Sequence, residues 1–110
     1  MIPPPLCVGI DVAKAPLDIA VRPTAETWSA PNEATGIDAL VARLGPLAPT
    51  LIVLEATGGY QGPLVAALVA AALPVVLVNP RHIRAFAQAV GILAKTDRID
   101  AQVIAHFAEA

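Results

Sequence analysis

The first thirty residues alternate apolar and polar positions in a pattern that predicts three strands. Residues 6–13 are apolar apart from Asp11 and rich in β-branched side chains, which is typical of a strand buried on both faces. The odd positions of residues 17–21 are apolar, which predicts a second strand, antiparallel to the first across a turn at 14–16. Residues 26–30 predict a short edge strand, so the chain opens as a three-stranded meander.

Helical and strand patterns follow one another from residue 35 onward. A helix is predicted over 37–44, because apolar residues recur at helical spacing after a capping-box sequence at 35–38 and before Gly-Pro at 45–46. Residues 50–54 are a continuous apolar run that ends at Glu55, as in a buried parallel strand.

The rest of the chain predicts a helix, a strand and two more helices. A helix from about Tyr60 to Ala72, a strand over 74–78 and a short helix over 81–89 follow in order. The last helix is expected from Asp97 onward, with Thr96 as its cap. The side chains that form its predicted packing stripe are Ile99, Val103 and Phe107. The expected architecture is α/β, a mixed five-stranded sheet flanked by helices.

Two carboxylates, Asp97 and Asp100, are three residues apart at the start of the last predicted helix. On a helix this spacing places both on one face, about 5–6 Å apart at Cβ. Carboxylates so close repel one another unless a cation lies between them. A hard divalent ion such as Mg²⁺ or Mn²⁺, which takes oxygen ligands, is the expected partner.

Two further carboxylates are candidates for the same site. Asp11 stands inside an apolar strand, where a charge is costly unless it is paired or bound to metal. The alternative is that local backbone hydrogen bonds satisfy it. Gly9, on the same face, is expected to leave open space beside this carboxylate. Glu55 follows a buried strand, and active sites of open α/β sheets lie at the carboxyl ends of strands.

The distribution of charge is more informative than its total. The formal net charge of −2 gives no global signature of nucleic-acid binding. Four of the seven basic residues nevertheless lie between 81 and 98, and no acidic residue stands between Glu55 and Asp97. Such a local patch beside carboxylates suits a phosphate backbone near bound metal, although a solvated helix face is the alternative. The candidate nucleic-acid contacts are Lys14, Arg81, Arg84, Lys95 and Arg98.

The composition predicts one small domain with more apolar surface than its own core can bury. The chain has 110 residues, of which 56% are hydrophobic, so a partner is expected to cover part of the surface. The lone Cys7 excludes an internal disulfide. No signal peptide or membrane span is evident, so we expect a cytoplasmic protein without a membrane partner. Because the helical pattern continues to Ala110 without a stop signal, residues 1–110 are expected to be an isolated or truncated domain.

Four short strings of sequence, in matching order, resemble one family. Residues 9–14 (GIDVAK), 54–60 (LEATGGY), 79–80 (NP) and 95–101 (KTDRIDA) are similar to those of DEDD transposases of bacterial insertion sequences, the insertion-sequence one-ten group. The resemblance implies a ribonuclease-H-like (RuvC-like) fold in which the first and fourth strands are neighbours. It also implies that the catalytic, metal-binding carboxylates are Asp11, Glu55, Asp97 and Asp100.

The same resemblance implies an activity and partners. These are a Mg²⁺- or Mn²⁺-dependent DNA transposase or recombinase that acts as a homo-oligomer on DNA, directed by a structured guide (bridge) RNA. Members of the family are longer and carry a C-terminal domain with a serine implicated in strand cleavage and joining. The single serine of this chain, Ser29, lies outside the matching motifs. We therefore expect the serine-bearing domain to be absent and assign no nucleophile.

Three other interpretations stay open at this point. The ATPase domain of the actin and sugar-kinase superfamily also opens with an Asp-bearing strand, but its glycine-rich phosphate turn would follow closely, where this chain has Val12-Ala13-Lys14. A nuclease that resembles Holliday-junction resolvases would share the metal chemistry. A non-catalytic module for RNA binding and oligomerisation would keep the carboxylates for structure.

Overall fold

The computed structural model describes residues 5–55, 58–92 and 98–110, and in these ranges it contains five strands and four helices. The strands are β1 (Cys7–Val12), β2 (Pro16–Arg22), β3 (Thr27–Pro31), β4 (Leu51–Glu55) and β5 (Val75–Val78). The helices are α1 (Ala34–Leu44), which runs into a 3-10 turn (Gly45–Leu47), α2 (Gly62–Ala70), α3 (Pro80–Ala89) and α4 (Ala101–Glu109). Every strand lies where the sequence predicts it, to within one residue at each end.

The five strands form one sheet in the order β3-β2-β1-β4-β5. β1 pairs antiparallel with β2, and β2 with β3, because short turns connect them. β4 pairs parallel with β1, and β5 with β4, because α1 and α2 carry the chain back along the sheet. The predicted mixed sheet is therefore confirmed, and its first and fourth strands are neighbours.

β1 is the central strand and is buried on both faces, as predicted. Its even positions, residues 8, 10 and 12, belong to a core that also contains side chains of α1 and α2. Cys7 points to the opposite face, into a second cluster that includes side chains of α3 and α4. Because side chains alternate along a strand, Asp11 shares the face of Cys7. The carboxylate therefore lies on the side of the sheet that α3 and α4 cover.

Gly9 does not leave open space beside Asp11, so that prediction is wrong. A Cβ atom on Gly9 would lie 2.2 Å from the amide nitrogen of Ala105 and 2.6 Å from the carbonyl oxygen of Ala101. The backbone of α4 fills the space, since glycine has no side chain to keep a neighbouring helix away.

The last helix begins later than predicted. Asp100 is the N-cap of α4, and its carboxylate accepts a hydrogen bond from the Val103 amide at 2.9 Å. Ile99 before the cap and Ile104 after it are buried in the same cluster, in the arrangement of a hydrophobic staple. Thr96, the predicted cap, lies outside the described residues. The prediction is wrong because the Asp100 cap and the isoleucines around it set the start of the helix.

The packing face of α4 also differs from the predicted stripe. Ile99 is buried but precedes the helix, while Val103 and Phe107 are only partly buried. Phe107 meets Phe86 of α3 edge to face, with 5.6 Å between ring centroids. Small residues prevail on the innermost face because α4 lies directly on the sheet; the buried residues of the helix are Ala101, Ile104, Ala105 and Ala108.

The earlier helices also differ from prediction at their ends. α1 has Glu33 as its N-cap, without a side-chain capping bond, and the Thr35 hydroxyl donates to the Glu33 carboxylate at 3.1 Å. The predicted capping box is therefore absent, although α1 does end before Gly45-Pro46. α2 starts at Gly62 and ends at Ala70, so it is shorter than predicted at both ends.

Some apolar side chains in the described part of the chain are exposed to solvent. Val76 and Leu77 are 44% and 45% exposed on β5, an edge strand of the sheet. These residues belong to the apolar surface that the composition led us to expect. None of the helices in the described ranges is long and apolar enough to cross a bilayer.

Candidate active site

Asp11 and Glu55 lie at the carboxyl ends of two neighbouring parallel strands. Asp11 is the second-last residue of β1, and Glu55 is the last residue of β4. The residues before them, Ile10 and Leu54, are register partners in the sheet. The topology therefore places the two carboxylates side by side, where an open α/β sheet forms its active site.

The two carboxylates line one cleft, which has a volume of about 370 Å³. α3 contributes Arg81 and Arg84 to the wall, and the segment before α4 contributes Arg98. The remaining lining residues are Val12, Pro80 and Ile99. The cleft thus combines acidic groups on the sheet with arginines above them, which is a suitable arrangement for a metal ion and a phosphate together.

The start of α3 is what brings its arginines to the cleft. The Asn79 side chain accepts a hydrogen bond from the Arg81 amide at 2.9 Å and so caps the helix. Pro80 occupies the first turn, where its missing N–H costs nothing. Arg81 and Arg84 are three residues apart and therefore lie on one side of α3. The string Asn79-Pro80, noted in the sequence for its resemblance, has this structural role.

Asp11 is held in a partly desolvated position. Its side chain is 12% exposed, and its Oδ2 accepts a hydrogen bond from Nη2 of Arg98 at 3.2 Å. Burial raises the pKa of Asp11 above its ordinary value, and the charges of Asp18 and Asp100 act in the same direction. The Arg98 guanidinium opposes this rise without cancelling it. The carboxylate would therefore be stabilised by additional positive charge.

Glu55 has a similar environment. Burial raises the pKa of Glu55, and the neighbouring charge of Asp11 raises it further. The charges of Arg84 and Arg98 lower it, though by less. Two partly buried carboxylates, one of which is destabilised by the other, form a site that favours a bound cation.

The other predicted site residues are placed differently. Asp100 is near enough for its charge to raise the pKa of Asp11, but it caps α4 instead of projecting from a helical turn. Asp97 and Lys95 lie outside the described residues, so the predicted pairing of Asp97 with Asp100 is not described. Lys14 is exposed in the turn between β1 and β2 and is not among the residues that line the cleft.

Asp18 is a residue near the site that the sequence analysis did not single out. It is the register partner of Asp11 across the β1–β2 hairpin, so both side chains lie on one face. Its Oδ1 accepts a hydrogen bond from the Ser29 hydroxyl of β3 at 2.5 Å. The predicted turn at 14–16 would instead pair residue 11 with residue 19. The observed turn is one residue shorter, with the Ala13 amide donating to the Pro16 carbonyl at 3.1 Å, and this brings Asp18 opposite Asp11.

The donors present are of the type that Mg²⁺ and Mn²⁺ prefer. Carboxylate oxygens are hard ligands, and both Asp11 and Glu55 have pKa values raised by burial, a cost that a cation would relieve. Within the described ranges, no group of three or more histidine, cysteine or acidic side chains is gathered closely enough to hold a metal ion. Among the described residues, Asp11 and Glu55 could therefore supply two neighbouring ligands to a metal ion, and Asp100 lies nearby.

Comparison with solved structures shows which folds this one resembles. RuvC of T. thermophilus, solved in complex with a Holliday junction substrate, matches with a TM-score of 0.62 and 18% identity, covering 92% of this chain and 90% of that one. A ROK hexokinase from Thermus thermophilus matches with a TM-score of 0.51 and 18% identity, over 84% of this chain but only 39% of the hexokinase. At these identities the likeness concerns the fold, which is RuvC-like and ribonuclease-H-like.

Comparison of sequences distinguishes between the families that share this fold. No curated protein matches the chain. The model of the IS110 DEDD transposases, described as transposase, matches residues 8–110, which is nearly the whole chain. For the sugar-kinase alternative the likeness is one of fold alone. The chain belongs to the IS110 family of DEDD transposases.

Proposed function

We propose that this domain is the metal-dependent catalytic part of a DNA transposase or recombinase. The observation that carries the proposal is the pair of partly buried carboxylates, Asp11 and Glu55, on adjacent strand ends in a cleft lined by arginines. Membership of a transposase family supports DNA as the substrate. In this proposal the carboxylates that bind metal and act in catalysis are Asp11, Glu55, Asp97 and Asp100.

The metal, Mg²⁺ or Mn²⁺, would supply Lewis-acid stabilisation of the oxygens at a scissile phosphodiester. Asp11 and Glu55 would hold it from the sheet, since their carboxylates are already side by side. Asp100 would contribute from the start of α4, with its backbone conformation fixed by the cap it forms. Asp97 is assigned by its position in the family motif alone.

The arginines of the cleft would bind the phosphate backbone. Arg81 and Arg84 lie on one side of α3 and line the cleft with the carboxylates, and Arg98 lines it from the segment before α4. Guanidinium groups bind phosphate oxygens through paired hydrogen bonds, so they would orient a strand across the acidic floor. Lys95 and Lys14 are assigned here from the sequence, and Lys14 is not one of the residues that line the cleft.

Guide-RNA binding and homo-oligomerisation are part of the proposal on the strength of the family resemblance. The exposed apolar residues of β5 give an oligomer a surface to cover. A nuclease that cleaves Holliday junctions is the second candidate, because RuvC, the structure matched with a TM-score of 0.62, was solved with such a junction. A non-catalytic RNA-binding module would bind RNA equally well with and without the divalent ion.

The experiment that tests the proposal is a calorimetric titration with Mn²⁺. The wild-type chain should bind the ion saturably, and Asp11→Asn and Glu55→Gln should each weaken binding by about tenfold or more. Asp38→Asn, which changes an exposed acid on α1, is the matched control and should bind like the wild type. No binding by the wild type, or equal binding by all four proteins, would reject the metal site.

A second titration identifies the nucleic-acid partner. Duplex DNA, a four-way DNA junction and a structured RNA should be compared with and without Mn²⁺. Binding to DNA that strengthens with the metal supports the transposase assignment, and selective cleavage of the junction would support the resolvase. An RNA affinity that is the same with and without Mn²⁺ would support the non-catalytic module.

A further inference from the structure

Gly9 occupies a position in β1 where its backbone conformation does not require glycine. The described glycines with positive φ are Gly58, Gly59 and Gly91, and Gly9 is not among them. Glycine in the interior of a strand weakens the strand, because it has more conformational freedom to lose and no side chain to pack. The reason for glycine at this central position must therefore be space.

The space is taken by the backbone of α4. A Cβ on Gly9 would lie 2.2 Å from the nitrogen of Ala105, 2.8 Å from its Cα and 2.6 Å from the carbonyl oxygen of Ala101. These are backbone atoms, which cannot rotate away as the end of a flexible side chain could. Any side chain at residue 9 therefore requires α4 to move.

Three small residues surround the contact between Gly9 and α4. Ala20 is its register partner on β2, and it forms a buried cluster with Ala101 and Ala105. These alanines are 2%, 6% and 0% exposed, so nothing separates the helix from the sheet here. Gly9 and the three alanines define the seat of α4.

The seat determines where the start of α4 lies relative to Asp11. At one end of the helix Glu109 pairs with Arg22 at 2.9 Å, and before the other end Arg98 pairs with Asp11 at 3.2 Å. Arg22 is the register partner of Cys7, so α4 runs antiparallel to β1. Two strand residues span about 6.6 Å and four helical residues about 6 Å. The step along β1 from Gly9 to Asp11 is therefore about as long as the step along α4 from Ala105 back to Ala101. Asp11 accordingly lies near the N-terminal end of α4.

We infer that Gly9 is a positioning residue: by letting α4 rest directly on β1, it sets the distance between Asp11 on β1 and Asp100 at the N-cap of α4. The inference rests on the proposed function, because it concerns carboxylates proposed to share one metal. Gly9 itself touches neither metal nor substrate in this role. A helix displaced by a single methyl group would carry Asp100 away from Asp11.

The test compares Gly9→Ala with Gly36→Ala. Gly36 is an equally crowded glycine, since its Cβ would lie 2.1 Å from the carbonyl oxygen of Pro31, but it belongs to α1 and does not contact α4. Both variants should be less stable than the wild type. Amide hydrogen exchange and Mn²⁺ affinity, measured at a temperature where both remain folded, separate a loss of stability from a loss of position.

In Gly9→Ala, the amides of residues 101–109 should exchange about tenfold faster while β4 stays protected, and Mn²⁺ affinity should fall about tenfold or more. Gly36→Ala should keep its Mn²⁺ affinity within about twofold of the wild type. If Gly9→Ala does not fold, Ala20→Val offers a milder displacement of the same helix. It should likewise speed amide exchange in α4 and weaken Mn²⁺ binding, whereas Gly36→Ala should not weaken Mn²⁺ binding.

The outcomes that overturn the inference are distinct from those that overturn the proposed function. If the wild type binds Mn²⁺ and Gly9→Ala keeps that affinity within about twofold, the positioning role alone is overturned. If amide hydrogen exchange in α4 is unchanged in Gly9→Ala, the added methyl group is accommodated without moving the helix, and the claim that Gly9 sets the position of α4 is rejected. A wild-type chain that binds no Mn²⁺ overturns the metal site, and the positioning role of Gly9 fails with it.

Discussion

Nη2 of Arg98 lies 3.2 Å from Oδ2 of Asp11, so a guanidinium on the segment before α4 neutralises the carboxylate at the end of β1. The arginine side chain is 79% exposed and the aspartate side chain 12% exposed. The guanidinium therefore approaches the carboxylate from the solvent side, where another cation can replace it. Because the arginine is so exposed, the pair itself contributes little to stability.

Replacing Arg98 should raise the pKa of both carboxylates in the cleft. The guanidinium lowers the pKa of Asp11 by its charge and hydrogen bond and that of Glu55 by its charge, so Arg98→Gln removes an opposing effect from each. Carboxyl carbon chemical shifts followed by NMR through a pH titration measure the change. Arg43→Gln, which changes an arginine stacked on Trp28, is the control and should leave both titrations unaltered. A fall in either pKa in Arg98→Gln would contradict the structure.

The metal-free protein should lose stability as pH rises through the range of the carboxylates. The folded-state pKa values of Asp11 and Glu55 lie above their ordinary values of about 3.9 and 4.3. Between the unfolded and the folded pKa the folded state binds more protons, so the free energy of unfolding decreases with pH in that window. The decrease is complete once the pH exceeds the folded pKa.

Asp11→Asn should therefore flatten this pH dependence and raise the melting temperature at pH 7 without metal. Adding Mn²⁺ should reverse the order, because the wild type binds the ion more tightly and so gains more stability from it. Melting scans at several pH values, with and without Mn²⁺, measure both effects, and Asp38→Asn serves as the control. An Asp11→Asn variant that is less stable than the wild type at pH 7 would show that burial is not the dominant effect on this carboxylate.

Two substitutions at Asp100 should separate its cap from its proposed role as a ligand. Asp100→Ala removes the acceptor of the Val103 amide and should cost about 1 kcal/mol of stability. Asp100→Asn keeps an acceptor at the N-cap and should cost much less, since asparagine caps helices as well as aspartate does. Both should weaken Mn²⁺ binding. Denaturant unfolding and calorimetry measure the two properties, and an Asp100→Asn variant with wild-type affinity would confine Asp100 to the cap.

The arginines of the cleft should account for part of the salt dependence of DNA binding. Removing one phosphate-binding side chain reduces the slope of log affinity against log salt by about 1 for duplex DNA. Arg81→Gln should weaken binding to all duplex sequences alike and reduce the slope by about that amount. Arg43→Gln, away from the cleft, should retain the wild-type slope. Fluorescence anisotropy at several salt concentrations gives the comparison, and equal slopes for all three proteins would exclude Arg81 from the interface.

The sequence predicts the sheet well because its strands carry strong local signals. The β-branched run of β1, the alternation of β2 and the apolar run before Glu55 each locate a strand to within one residue. The resemblance to the ribonuclease-H-like fold then implies that β1 and β4 are neighbours, which is why the closeness of Asp11 and Glu55 could be expected. The position of Asp18 could not be predicted in this way, because the turn is one residue shorter than expected and this moves the partner of residue 11 from Ile19 to Asp18.

The start of α4 was harder to predict because several residues in KTDRIDA can cap a helix. Thr96, Asp97 and Asp100 are all suitable cap residues by type. The choice of Asp100 depends on Ile99 and Ile104, which are buried together only once the helix lies on the sheet. Gly9 was misjudged for a related reason: a missing side chain indicates available space, but only the tertiary fold decides that a helix fills it.

The seat of α4 also affects the order in which the molecule can be assembled. Asp11 and Arg98 are 87 positions apart, so at ribosomal rates of about 5–20 residues per second β1 is made roughly 4–17 s before its counter-ion. Until α4 has been translated, Gly9 lacks the helix backbone that packs against it, and Asp11 lacks the guanidinium of Arg98. The cleft is therefore completed only after α4 has been made, so a nascent chain carries Asp11 and Glu55 on their strands before Arg98 lines the cleft with them.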